Sequence, residues 1–192
     1  MFIDYLTVML VNLAAGLAIM ALFVLKYING DRKKLAPGLL VSGFLALVTG
    51  LHEIFTWPII GSYNIPFGEM SVLFGVLFLA AGIAVLKEWD LLSLGVYAVF
   101  AGAAAILLGI RIYSLKMTSE PLVAAAGFIL TGLMAVLSLP AYYLRKSLVV
   151  RVLAALALFG AAAIWASFAG LGYWAHLQNF SKWLPPTMPP AK

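Results

Sequence analysis

Long apolar runs separated by short polar breaks dominate the chain. Six runs of the roughly 20 mostly apolar residues that cross a bilayer can be drawn, at about 4–28, 36–57, 66–87, 90–115, 119–144 and 147–177. Each run is continuously apolar. Barrel strands would instead alternate apolar and polar positions over about 10 residues, so the runs predict helices. The breaks carry helix-boundary chemistry. Asn29-Gly30-Asp31 interrupts the first run, and Pro37 suits the first turn of the second. Trp57-Pro58 closes the second and Pro66 opens the third. Asp90, Ser119 and Ser147 are candidate N-caps for the last three, with Pro121 just inside the fifth. The fold predicted is an all-α, six-transmembrane-helix bundle. It forms one domain over 1–184, followed by a Pro-rich tail over 185–192 that cannot be helical. The first run lacks a basic leader and is too long for a cleavable signal, so it is expected to be the first span.

Composition removes the alternatives. The 192 residues are 65% hydrophobic and 10% charged, with mean hydropathy +1.08. A soluble domain is about 45–50% apolar and about 25% charged, so a soluble enzyme and a disordered chain are both excluded. A multi-pass protein of the cell membrane is expected. The absence of cysteine excludes disulfides, thiolate metal sites, cysteine-linked haem and cysteine nucleophiles.

Charge then sets orientation. Lys26, Arg32, Lys33, Lys34, Lys87, Arg145, Lys146 and Arg151 fall at one set of helix ends, against Arg111, Lys116, Lys182 and Lys192 at the other. The richer set is expected to be cytoplasmic, with both termini outside. The net charge of +5 is read as this topology signal. No basic patch or motif points to nucleic acid.

Small residues suggest how the helices pack. Glycines recur every seven positions as Gly68, Gly75 and Gly82, as Gly95, Gly102 and Gly109, and as Gly43 and Gly50. Such a period keeps a small-residue stripe on one face of a left-handed helix crossing. The third and fourth spans, joined by the short turn 87–90, are expected to form a tight antiparallel hairpin. Asn12, Thr49 and Thr131 are expected to hydrogen-bond between helices, and Trp165 to lie in the core.

Ionisable groups gather at the outer end: Asp4, His52, Glu53, Glu69, Arg111, Glu120 and His176. Such groups within a membrane usually face the bundle interior and are candidates for function. The segment from Ile54 to Glu69 has no Lys or Arg and carries Tyr63 and Asn64; it is expected to fold back as a lid, with the site under the loop 57–66. Together these give a candidate ligand or ion site of His52, Glu53, Glu69, Arg111, Trp57, Tyr63 and Asn64. His52 and Glu53 project about 100° apart on a helix, so Glu69 is expected to partner His52. A structural polar network, a proton or ion site, and a metal site of His52, Glu69 and His176 remain alternatives, as does a haem held between the two histidines. No HExxH or ExxH spacing supports the metal. Arg111 suits an anion, or an ion pair with Glu69 or Glu120.

The stretches Trp57-Pro58, Gly61-Ser62-Tyr63-Asn64 and Phe67-Gly68-Glu69 have a further resonance, with Leu79-Ala80-Ala81-Gly82, Trp89-Asp90-Leu91 and the run from Ala126 to Leu133. Here the chain resembles an uncharacterised family of small polytopic membrane proteins of archaea and bacteria, a domain of unknown function. The resemblance covers roughly 38–140. It implies a membrane bundle and lends no activity, cofactor or substrate. The function expected is a membrane protein with an outward-facing site for a small ligand or ion. An accessory subunit of a larger membrane complex, such as a respiratory one, and a membrane metalloenzyme are the alternatives. Expected partners are membrane lipids, a second copy of the chain or complex subunits.

Overall fold

The computed structural model describes residues 5–181, all of whose long elements are helices. Asp4 and the Pro-rich tail lie outside the described residues. Helix α1 (Leu6–Leu22) runs on as a π turn (Phe23–Tyr27), and a short 3-10 turn (Arg32–Leu35) leads into α2 (Ala36–Thr56). A second 3-10 turn (Gly61–Tyr63) and a second π turn (Ile65–Glu69) lead into α3 (Met70–Leu86). Helices α4 (Leu92–Leu115), α5 (Pro121–Tyr143) and α6 (Leu148–Asn179) complete the bundle. Among the described residues six segments are long and apolar enough to cross a membrane. Large apolar side chains such as Phe44, Phe100, Leu122 and Leu156 are exposed around the outside, as lipid-facing side chains are. This is a multi-pass membrane bundle.

The helices pack most closely as three antiparallel pairs, α2 with α3, α4 with α5 and α1 with α6. Glycine explains the first two. A Cβ placed on Gly50 would lie 2.8 Å from the carbonyl oxygen of Gly68, and one on Gly75 would lie 2.7 Å from the backbone nitrogen of Leu47. Gly102 and Gly132 face each other's carbonyl oxygens, and Gly109 faces that of Ala125. Bare backbone on both sides lets the helices touch, which in lipid supplies the packing that the hydrophobic effect does not. The expected hairpin of the third and fourth spans is thereby corrected. The stripe on α3 is spent on α2 and that on α4 on α5, so α3 and α4 meet only sparsely despite the short turn between them.

The third pair closes the ring through polar contacts. Thr7 of α1 lies 3.4 Å from His176 of α6, and at the other end Arg151 of α6 donates to the carbonyl of Leu25 at 2.9 Å. That carbonyl belongs to the π turn, whose altered ladder needs partners from outside the helix. In the core Trp165 donates to Thr131 at 3.0 Å and Asn12 donates to the carbonyl of Ser42 at 2.9 Å. Both are the interhelical bonds expected. Thr49 differs: its hydroxyl donates back to Leu45 of its own helix at 2.7 Å, satisfying itself locally.

Helix boundaries follow the sequence signals with two exceptions. Ser147 caps α6 by accepting from the Val150 N–H at 3.4 Å. Asp90 lies one residue before the N-cap of α4, Leu91, and accepts from the Leu92 N–H at 2.7 Å. Ser119 caps nothing; the residue before α5 is Glu120, whose side chain makes no cap bond. The loops rich in Lys and Arg gather at one end of the bundle, where Lys33 pairs with Glu88 at 2.6 Å and Lys34 with Asp31 at 3.6 Å. The Lys33 ammonium holds the Glu88 carboxyl below the usual carboxylate range.

Candidate functional site

The end opposite the basic loops is built around Glu53, in the last turn of α2. Its side chain is fully buried at 0% exposure. Among the described residues neither carboxylate oxygen has a hydrogen-bond partner. Glycine makes the room for it. The chain enters α3 through the π turn, which brings Gly68 against α2. A Cβ on Gly68 would stand 3.2 Å from both Cβ and Cγ of Glu53. The carboxyl is therefore sealed under the segment that precedes α3. A buried ionised carboxylate without a partner costs several kcal/mol, so such a group requires a proton or a cation.

His52, one residue earlier, points the other way and is exposed. Its Nδ1 lies 3.2 Å from the hydroxyl of Tyr5, whose ring meets the imidazole edge-on at 5.3 Å between centroids. The Thr56 hydroxyl donates to the His52 carbonyl at 2.7 Å and stands 3.5 Å from Nδ1. Tyr5 is half-buried beside Glu53. Burial, and then the negative charge of Glu53, push the Tyr5 hydroxyl up to about 12. Tyr5 thus contacts an exposed imidazole and lies within electrostatic reach of a buried carboxyl.

The other expected residues do not join this pair. Glu69 is exposed, and among the described residues no hydrogen bond or ion pair links it to His52; the partner of His52 is Tyr5. Arg111 is exposed and reaches Ser114 at 3.5 Å. The ion pairs expected with Glu69 or Glu120 do not form among the described residues, where Lys33–Glu88 and Lys34–Asp31 are the pairs seen. Trp57 takes a left-handed conformation, φ 47°, that ends α2, and about half its surface is exposed. Tyr63 is half-buried in the 3-10 turn. Asn64 is fully buried, and its amide is used up by the loop. Its Oδ1 accepts from the Ile59 N–H at 3.1 Å, and its Nδ2 donates to the carbonyls of Ile59 and Gly61. It ties the segment rather than facing a ligand.

That segment covers Glu53 and also wedges into the bundle. Pro66 and Gly68 are buried, and Phe67 meets Phe128 edge-on at 5.7 Å. The ring series continues through Phe128 to Trp165 at 5.0 Å, deep in the bundle.

The metal set of His52, Glu69 and His176 is not assembled among the described residues. His176 approaches α1 from α6 and contacts Thr7, whereas His52 approaches from α2 and contacts Tyr5. Among the described residues no group of three His, Cys, Asp or Glu side chains could hold a metal ion. The pairing of His52 with Tyr5, and the glycine socket under Glu53, were not foreseen. The glycine stripe did carry a signal for the second. Glu53 lies three residues beyond Gly50 and shares its face, whereas His52, two residues on, falls on the far side.

No curated protein and no solved structure matches the chain significantly. A family model does match, over residues 1–179, and its description is a protein of unknown function, DUF981. With that match spanning the bundle from end to end, the chain belongs to the DUF981 family.

Proposed function

We propose that the protein is a membrane binding protein that takes a small cation, the proton included, onto Glu53 from the outward side of the bilayer. The observation that carries this reading is the complete burial of a carboxyl whose two oxygens have no hydrogen-bond partner among the described residues. Tyr5 and His52 supply the polar step between that carboxyl and the surface. The test is thermal unfolding of the purified protein with sodium, potassium or methylammonium chloride, for the wild type and Glu53→Gln. The wild type is expected to gain stability with one of these cations by mass action, and Glu53→Gln to lose that response. Without added cation, Glu53→Gln is expected to be at least as stable as the wild type, because it removes a buried unpaired charge without changing shape. Equal responses of the two proteins to every one of these cations, and to pH, would contradict the proposal.

The outward direction rests on the unequal count of Lys and Arg between the two ends. It is tested independently, and the lack of native cysteine makes single-cysteine labelling clean. A membrane-impermeant maleimide is expected to label Ser62→Cys in intact cells and Lys146→Cys only after permeabilisation. The reverse pattern would place Glu53 at the cytoplasmic face.

A further inference from the structure

At the basic end, away from Glu53, the helices enclose a cavity of about 430 Å³. That is within the about 300–1,000 Å³ range of small-molecule sites. Its walls are almost wholly apolar, with Leu17, Phe78, Leu94, Met134 and Leu158 among them. Along α5 its lining runs from Thr131 to Tyr142 and on to Arg145, about 20 Å at the helical rise of roughly 1.5 Å per residue. One leaflet of hydrocarbon is roughly 15 Å deep, so the cavity is long enough for a lipid chain. Water gains little in a space so lined.

The cavity also reaches the lipid-facing surface. Leu137 and Leu144 of α5 and its flank, and Leu153 of α6, belong to its wall and are 48%, 54% and 62% exposed. They border the seam between α5 and α6, which pack on each other far less closely than α5 packs on α4. Pro140 lies in this part of α5 and lines the cavity. Having no N–H, it cannot close the helical bond to the turn before it.

The charged groups of the lining, Arg145 and Arg151, collect at one end only. Arg151 donates through Nη1 to the Leu25 carbonyl, and its buried Nε has no partner among the described residues. Arg145 donates through Nη1 to the Tyr142 carbonyl at 2.8 Å and lies over the Tyr142 ring at 4.3 Å. Neither arginine has an ion-pair partner among the described residues. Asp90 is already engaged by the Tyr142 hydroxyl and the Leu92 N–H. Two arginines without a direct ion pair among the described residues thus stand at the membrane-surface end of an apolar slot, with the Asp90 carboxylate, near enough to Arg145 to interact electrostatically, already held by Tyr142 and Leu92.

We infer that this cavity takes one hydrocarbon chain of an anionic amphiphile through the seam between α5 and α6, with its phosphate or carboxylate head held by Arg145 and Arg151. The arginines match such a head in charge and geometry, and the slot matches the chain in polarity and length.

The full chain, delipidated in maltoside detergent, would be titrated with palmitate, with a phosphatidylglycerol and with hexadecanol, and thermal unfolding recorded. Palmitate or phosphatidylglycerol is expected to stabilise the wild type with an apparent affinity at least about tenfold above that of hexadecanol, the scale of a charge-assisted hydrogen bond. A response to phosphatidylglycerol alone would identify a bilayer lipid; a response to palmitate as well would identify any single anionic chain. The double variant Arg145→Gln/Arg151→Gln is expected to lose about tenfold to a hundredfold. Because Arg151 also supports the π turn, a second variant guards against misfolding. Ala154→Phe, on the cavity wall, fills the slot and leaves both arginines, and it is expected to abolish the response. Equal stabilisation by hexadecanol, no response to either anionic probe, or an unchanged response in Ala154→Phe would overturn the inference.

Discussion

Gly102→Val is expected to destabilise the bundle by about 2–3 kcal/mol or more, the upper range for forcing atoms into a packed interface. A Cβ at Gly102 would lie 2.5 Å from the Gly132 carbonyl oxygen and 2.9 Å from the Val136 backbone nitrogen. Neither contact is the tip of a flexible side chain, so no rotamer change relieves it. The two helix backbones must separate, and Gly132, whose own Cβ would lie 2.6 Å from the Gly102 oxygen, loses its contact at the same moment. Gly170→Ala is the control. Nothing lies within 4 Å of a Cβ built there, so stability is expected to hold or to rise slightly through helix propensity. Unfolding of both variants in mixed micelles checks the contrast. Equal, small effects would show that α4 and α5 do not pack through these glycines.

Trp165→Ala is expected to cost about 3–5 kcal/mol, the usual range for emptying a core site of this size. Trp165 is 2% exposed, lies 5.0 Å from Phe128 edge-on, and is packed closely enough on α5 that a Cβ at Gly127 would stand 3.0 Å from its ring. It also donates to Thr131. Thr131→Val separates the two contributions, since it removes the hydrogen bond and keeps the shape. Side-chain hydrogen bonds between membrane helices average only about 0.6 kcal/mol, so this variant is expected to be several-fold milder. Chemical unfolding of the two variants side by side decides. A Thr131→Val loss as large as that of Trp165→Ala would make the hydrogen bond, and not the packing, the stabilising element.

The spans could be read from the sequence because lipid imposes a single rule, a continuous apolar stretch of sufficient length, and each run obeys it. The helix pairing could not. Seven-residue glycine spacing on α2, α3 and α4 says that each has one close partner, but not which neighbour it is. The short turn 87–90 made α3 and α4 look like that pair. A better guide was available in α2, where Gly43 and Gly50 are spaced to meet the α3 stripe in antiparallel register, and contacts of Gly50 with Gly68 bear this out. The polar end shows the same division. Counting 1.5 Å per residue gives depth, and depth collected His52, Glu53, Glu69, Arg111 and His176 at one level. Azimuth decides which of them meet, at 100° per residue. It turns Glu53 inward, turns His52 outward to Tyr5, and leaves Glu69 and Arg111 on the surface. Tyr5 escaped notice because an aromatic residue at a helix end reads as an interfacial anchor. The cavity at the basic end escaped because an apolar lining from six helices has no sequence signature of its own.

The most direct measurement is the infrared absorption of the Glu53 carboxyl itself, taken as the difference between wild type and Glu53→Gln in a membrane mimic. A single carboxyl signal absent from Glu53→Gln is expected, converting between its acid and carboxylate forms when pH is changed or the stabilising cation is added. It is also expected to change frequency in Tyr5→Phe, because the Tyr5 hydroxyl lies within electrostatic reach of Glu53. A Glu53 signal that stays in one form under every condition would contradict the account, for it would make the buried carboxyl a fixed part of the packing.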